Sequence, residues 1–252
     1  MPRNRAIVAV TLLTLGATLP GAVAADEHDA MADVRVLHAA GEAPAVDIYA
    51  SGALLSGPLD YGQITDYIEV PAGVYQVQVV PSGSTPAAGS SVIDTELQLE
   101  PGTMTTVVAT GSLQAGIVPV VLPDAPEPGD GISQVRVSHF VFYAPPVDVA
   151  LDGGDVIVPD LAFAETAGYL DLPEGEYDLE LRLAGTSDVV FDAGPVTLDD
   201  QTSLSVFAIG NVADGTFSVV SAVDASPDLR TQLEEGLEEL EEELEELIEG
   251  DE

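Results

Sequence analysis

Residues 67–75 read Tyr-Ile-Glu-Val-Pro-Ala-Gly-Val-Tyr, and residues 169–177 return the pattern as Tyr-Leu-Asp-Leu-Pro-Glu-Gly-Glu-Tyr. In both copies a Pro-x-Gly turn separates two stretches in which apolar and polar side chains alternate. A period of two is typical of β-strands with one face in water. The stretch therefore predicts two strands joined by a turn, and its return predicts that the unit occurs twice.

Two further blocks recur in the same order. Val-Arg-Val-Leu-His at 34–38 returns as Val-Arg-Val-Ser-His at 135–139, and Ala-Pro-Ala-Val-Asp-Ile at 43–48 returns as Ala-Pro-Pro-Val-Asp-Val at 144–149. A repeat of about 100 residues is long enough for an independent core. Each contains some seven short strand candidates and no helical periodicity. This favours an all-β fold of two tandem immunoglobulin-like antiparallel β-sandwich domains, with an open barrel as the alternative.

The blocks Val-Arg-Val-x-His, Ala-Pro-x-Val-Asp and Tyr-x-x-(Val/Leu)-Pro-x-Gly-x-Tyr resemble those of the DUF4397 family. The resemblance implies exported bacterial or archaeal domains, often in tandem, with no established activity and no catalytic residues to carry over. Repeat two departs from the pattern, because it has Phe-Val-Phe-Tyr at 140–143 where repeat one has Ala-Ala-Gly-Glu at 39–42. Ala150 also stands where repeat one has Tyr49. These changes put any function shared by the first loops in doubt.

The N-terminal residues 1–24 have the features of a secretory signal peptide. Two arginines precede a short apolar run, and Ala-Val-Ala at 22–24 forms a small-x-small cleavage site. The run is too short to span a bilayer comfortably, although an uncleaved anchor helix is the alternative. We expect the cleaved protein to be secreted, extracellular or at the cell surface, with no membrane contact after cleavage.

The charge is extreme: 252 residues include 44 acids and six basic residues, all arginine, for a net charge of -38. Self-repulsion of this size destabilises a compact fold unless salt screens it. The composition therefore predicts adaptation to high salt in a halophilic archaeon, with an acidic secreted protein of ordinary salinity as the alternative. So few cations exclude nucleic acid as a partner. The absence of cysteine excludes disulfides, thiolate metal sites and cysteine nucleophiles.

The C-terminal segment carries a leucine stripe among glutamates. Leucines three and four residues apart predict an acidic α-helix for self-association or partner docking, and a solvated acidic tail is the alternative. The partner would be a second copy, an unknown protein or a surface-layer component. The stripe comprises Leu229, Leu233, Leu237, Leu240, Leu244 and Leu247. The predicted organisation is a signal peptide at 1–24, an acidic segment at 25–32, sandwich one at 33–123, a Pro/Gly linker at 124–131, sandwich two at 132–224 and the helix at 225–252.

The candidate binding or structural residues are His38 with Asp47 and His139 with Asp148, nine residues apart in both repeats. If strands 34–38 and 45–50 pair, the two side chains approach each other and suit a metal or acid–base pair. The alternative is structural: a histidine bonded to the Ala-Pro loop and an aspartate that accepts backbone N–H groups in a turn.

Motifs of nucleophilic, zinc-dependent or nucleotide-dependent enzymes are absent from the sequence, and nothing in it implies a cofactor. The sequence therefore predicts a non-enzymatic scaffold or binding module of the cell surface. The alternatives are a sugar-binding protein, a divalent-cation-binding protein using acidic loops such as 152–155 and 199–200, and a hydrolase using the His/Asp pairs.

Overall fold

The computed structural model describes residues 31–86 and 90–227, and sixteen β-strands form within them. Alternation explains why these residues are strands. In Ile93–Leu99 one face carries Ile, Thr and two Leu that are buried or half-buried, while Asp, Glu and Gln on the other face are exposed. Within the described ranges no helix has the length and hydropathy needed to cross a membrane.

Repeat one forms two four-stranded sheets that face each other. Their orders are β4-β1-β7-β8 and β3-β2-β5-β6. The strands are β1 Met31–His38, β2 Val46–Ala50, β3 Ala53–Leu59, β4 Ile68–Pro71, β5 Gly73–Pro81, β6 Ile93–Leu99, β7 Met104–Ser112 and β8 Gly116–Asp124.

Repeat two has the same topology. Its sheets run β12-β9-β15-β16 and β11-β10-β13-β14. The strands are β9 Ile132–Phe142, β10 Val147–Leu151, β11 Val156–Leu161, β12 Glu165–Pro173, β13 Gly175–Leu183, β14 Val189–Leu198, β15 Ser203–Asn211 and β16 Ser218–Ala225.

The predicted all-β sandwich architecture is present, but the fold class as predicted is wrong. Each repeat has eight strands in the described residues rather than seven, and the sheets are not purely antiparallel. β1 runs parallel to β7, from Asp33 beside Met104 to His38 beside Ala109, and β9 runs parallel to β15 in the same way. The first strand of each repeat therefore lies between β4 and β7, or between β12 and β15.

The C-terminal helix of the predicted fold class is also corrected. Ala225, the first residue of the predicted helix, is the last residue of β16 and pairs with Ser203 of β15. None of the elements formed by the described residues is a helix. Residues 228–252, which include all six leucines of the stripe, lie outside the described residues, as does the predicted signal peptide at 1–24.

The pleat of β1 shows how the sheets stack. Val34 and Val36 lie in the core of sandwich one, whereas Leu37 belongs to a separate apolar cluster shared by both repeats. That shared cluster unites Leu37, Ala39, Val108 and Leu122 of repeat one with Phe140, Phe207 and Ile209 of repeat two. The β1 sheet thus packs its outer face on the β9 sheet, and the two sandwiches form four consecutive layers.

Candidate functional site

His38 ends β1 with 1% of its surface exposed, and both ring nitrogens have partners. Nε2 lies 3.1 Å from the carbonyl oxygen of Pro44, and Nδ1 accepts the backbone N–H of Ala40 at 3.4 Å. This arrangement requires the neutral ring with its proton on Nε2. Burial lowers the pKa of His38, while the bond to Pro44 and the charge of Asp60 raise it by less.

His139 occupies the equivalent place in repeat two. Its Nε2 lies 3.2 Å from the oxygen of Pro145, and its Nδ1 accepts the N–H of Val141 at 3.2 Å. Burial lowers the pKa of His139 as well, against the bond to Pro145. Each histidine therefore links the Ala-Pro loop to the first strand of its repeat through a hydrogen bond.

The two aspartates lie in the other sheet of each sandwich and receive backbone N–H groups. Asp47 accepts the N–H of Gly83 at 2.8 Å. Asp148 accepts those of Asp160 at 2.7 Å and Gly185 at 2.8 Å, and these two bonds lower the pKa of its carboxyl group. β1 and β2 do not pair, so the premise for a His/Asp pair is wrong. That these four residues also bind a ligand stays a prediction.

The acidic loops were the predicted cation ligands. Within residues 31–86 and 90–227, no group of three or more His, Asp or Glu side chains is placed to hold a metal ion. Asp200 instead accepts the backbone N–H of Gly131 at 2.6 Å, and the carbonyl of Asp199 accepts the hydroxyl of Ser133 at 2.6 Å.

A cluster that the sequence analysis missed lies between the two repeats. Arg35 of β1 points out of sandwich one and forms an ion pair with Asp224 of β16 through Nη2. Its Nη1 donates to the carbonyl of Val223 at 3.2 Å, and its Nε donates to Thr106 at 2.8 Å. A basic residue of repeat one is therefore held by the last strand of repeat two.

Arg136 makes the reciprocal contact. Its Nη2 lies 2.6 Å from Oδ1 of Asp124 at the end of β8, and its Nη1 donates to the carbonyl of Pro123 at 3.1 Å. Its Nε donates to Ser205 at 2.8 Å. The second pair of charges thus joins the repeats in the opposite direction to the first.

Two tyrosines complete the cluster. Tyr67 donates its hydroxyl to Asp124 at 2.8 Å with its ring 4.4 Å from the guanidinium carbon of Arg35, and Tyr169 donates to Asp224 at 2.8 Å with its ring 5.0 Å from that of Arg136. Burial raises the pKa of both hydroxyls, so they act as donors at ordinary pH. The eight residues form equivalent pairs: Arg35 and Arg136, Asp124 and Asp224, Tyr67 and Tyr169, Thr106 and Ser205.

The four charges are at most 5% exposed, and they sum to zero. Buried charges are tolerated only when they are paired and hydrogen-bonded, as each of these is. Most of their donors and acceptors are hydrogen-bonded within the cluster, whereas Nη2 of Arg136 and Oδ1 of Asp124 lie 2.6 Å apart as an ion pair without hydrogen-bond geometry. The Arg–Asp cluster is therefore suited to fixing the two repeats together.

Sequence signals for this cluster existed. In a chain with six arginines, Arg35 and Arg136 occupy the same position of the two repeats, within a run of valines. Asp124 is likewise the last residue of β8, and Asp224 is the next-to-last residue of β16. A repeat alignment that asks which charges recur finds all four, although it does not show that they pair across the repeats.

The opposite end of the interface is asymmetric. Tyr61 of repeat one donates its hydroxyl to the carbonyl of Thr216, and Asn211 donates its amide to Glu42 at 3.4 Å. Gly210 has φ of 116°, and a side chain there would overlap the Thr216 carbonyl, so glycine is required. Phe140, at the place of Ala39 in repeat one, fills the shared cluster. Of the four residues at 140–143 that set repeat two apart, Phe140 in β9 thus serves the interface.

The sequence was compared with family models. The model described as a domain of unknown function, DUF4397, matches residues 32–150 and again 133–232. The chain belongs to the DUF4397 family. It is a tandem member, because the two matches cover both repeats. Among the curated proteins no match was found.

Solved structures similar to this DUF4397 protein were also found. The Bacillus anthracis TIE protein is 12% identical with a TM-score of 0.23, and the match covers 68% of this chain and 32% of that one. The CBM26 module of Eubacterium rectale Amy13K, solved with maltoheptaose, is 11% identical with a TM-score of 0.25 over 79% and 98% of the two chains. A structure of α-glucan binding by a streptococcal virulence factor is 13% identical with a TM-score of 0.24 over 75% and 95%. At these TM-scores the likeness carries no information about function.

Proposed function

We propose that this DUF4397 protein is an exported, non-enzymatic scaffold or binding module in which two sandwiches act as one rigid unit. The Arg–Asp cluster carries the proposal, because each repeat supplies the counter-ion that the other repeat requires. An isolated repeat would keep only the longer contact within it, Arg35 to Asp124 at 4.0 Å or Arg136 to Asp224 at 3.9 Å, and would lose the short ion pair to the other repeat. The repeats are therefore built to be used together.

The hydrogen bonds that the histidines and aspartates of the two repeats already make support a non-enzymatic role. His38 and His139 are buried with both nitrogens engaged, and the aspartates accept backbone N–H groups in the opposite sheets. General acid–base catalysis requires a side chain that can reach a substrate proton. In this arrangement the ring nitrogens of both histidines are occupied by hydrogen bonds within the protein.

Export and salt adaptation belong to the same proposal. The signal-like residues 1–24 support secretion or display at the cell surface. The net charge of -38 supports a high-salt habitat and a halophilic source, because molar salt screens the repulsion between surface carboxylates. The partner of such a module would be another surface protein or a surface-layer component.

Small-angle X-ray scattering of the cleaved protein in molar salt tests the rigid unit. We expect the profile to match a single arrangement with both sandwiches in contact. The variant Asp124→Asn/Asp224→Asn should give a larger radius of gyration or a mixture of arrangements. A wild-type profile that requires freely reorienting repeats would disprove the proposal.

A further inference from the structure

A cavity of about 210 Å³ lies between the two sheets of sandwich one. Aliphatic side chains form most of its wall, including Val34, Val36, Ile48, Val77, Val79 and Ile93. Glu96 of β6 and Val121 of β8 also line it and are exposed, which places its mouth between these two edge strands. The cavity is separate from the Arg–Asp cluster, which lies on the other face of the β1 sheet.

The corresponding space in sandwich two is nearly filled, with a cavity of about 50 Å³. A separate apolar cavity of about 310 Å³ lies at the His139 end of sandwich two, where Val141, Val147 and Phe217 line it. The two sandwiches can be matched residue by residue through strand register. Val79 pairs with Ile93 across β5 and β6, as Leu181 pairs with Phe191 across β13 and β14. Larger side chains thus occupy the positions that are small in sandwich one.

A third position shows the same trend. Val77 follows Tyr75 by two residues in β5, and Leu179 follows Tyr177 by two residues in β13. Because the second sandwich has the same topology and packs with these larger residues, the fold does not require the cavity. The side chains of repeat one leave it open.

The apolar lining of the cavity determines which class of ligand it can bind. An aliphatic cavity of about 150 Å³ stays dry and accepts a small apolar molecule, since water finds too few polar partners there. The cavity of sandwich one exceeds that size. Glu96 at the mouth and the strongly negative chain oppose a carboxylate-bearing ligand.

We propose that sandwich one binds an uncharged aliphatic molecule, such as an alkyl or isoprenoid chain, between its sheets, in the space that larger side chains fill in sandwich two. This names a ligand class for the binding module proposed above. It does not depend on the rigid contact between the repeats.

Fluorescence titration with the neutral probe N-phenyl-1-naphthylamine tests the site in the cleaved, full-length protein in molar salt. We expect the probe to bind in sandwich one and to be displaced by 1-decanol, with one bound probe fewer per chain once this cavity is filled. The variant Val77→Leu/Val79→Leu/Ile93→Phe copies repeat two into repeat one. It should lower the affinity at least about tenfold, because extra methylenes occupy the pocket. If that variant fails to fold, Ile93→Phe alone should lower the affinity in the same direction.

The matched control is the reverse exchange. Leu179→Val/Leu181→Val/Phe191→Ile should open the equivalent space in sandwich two and add one bound probe per chain. Absence of binding to the wild type, or equal binding to the filled variant, would overturn the proposal. Displacement by decanoate as effective as by decanol would overturn the preference for uncharged ligands. The scattering experiment does not involve the cavity, so failure here leaves the rigid-unit proposal to its own test.

Discussion

At the scale of residues, the sequence shows which side chains recur in the two repeats but not which of them become buried. The recurrence of histidine and aspartate marked four residues that the fold uses, but it could not show that His38 and Asp47 lie in opposite sheets. Arg35 and Arg136 alternate with valines and therefore resemble residues of a wet strand face. They are buried because the second repeat covers that face, a contact that no single-strand pattern encodes.

We predict that Asp224→Asn lowers the free energy of unfolding by about 3 kcal/mol, because it removes the nearest counter-ion of buried Arg35 and leaves only Asp124 at 4.0 Å. Denaturant unfolding in molar salt measures the loss. Asp178→Asn is the matched control, since this acid is exposed on β13 and its removal should change stability by at most about 0.5 kcal/mol. Equal losses in both variants would contradict the role of the Arg–Asp cluster.

The two histidines predict a pH dependence. Their pKa values are lower in the folded protein than in the unfolded chain. Below pH 6.5 the unfolded chain therefore binds protons at these histidines more readily than the folded protein does. The contribution of the two neutral histidines to the free energy of unfolding is therefore fully present above pH 6.5, and it decreases as the pH falls below that value. The slope of unfolding free energy between about pH 7 and about pH 5 should be smaller in His38→Gln/His139→Gln. An unchanged slope in this variant would refute the assignment.

At the scale of elements, strand positions were predictable and partners were not. Alternation locates β5, β6 and β13 from the sequence, because each has one polar and one apolar face. The parallel contact of β1 with β7 leaves no such trace, since the pattern along a strand is the same whichever way its neighbour runs. The predicted helix was wrong at its start because Ala225 continues the pairing of β16.

The shared apolar cluster gives a prediction for the facing sheets. Phe207 of β15 is fully buried between the repeats. Phe207→Ala should cost about 3–5 kcal/mol of stability through lost contacts and a cavity, as measured by denaturant unfolding. Val118→Ala on β8 is the control, because Val118 is 51% exposed and its loss should be small. A small effect at Phe207 would mean that the repeats do not pack through this cluster.

At the scale of the whole molecule, charge and architecture act against each other. In a chain whose net charge is -38, the acids exposed on the two sandwiches repel one another, whereas the neutral Arg–Asp cluster and the apolar cluster hold the sandwiches together. We predict that the melting temperature rises between about 0.1 M and about 3 M salt, because screening weakens only the repulsion between exposed acids. Differential scanning calorimetry measures it, and a melting temperature that is unchanged or lower would contradict salt adaptation.

The central claim is that the two repeats form one rigid unit, and the distance between them tests it most directly. The chain has no cysteine, so spin labels can be placed uniquely at Val74→Cys and Glu176→Cys, two exposed equivalent positions on β5 and β13. Pulsed electron resonance in molar salt should give one narrow distance distribution that broadens in Asp124→Asn/Asp224→Asn. A broad distribution in the otherwise wild-type protein would contradict the account.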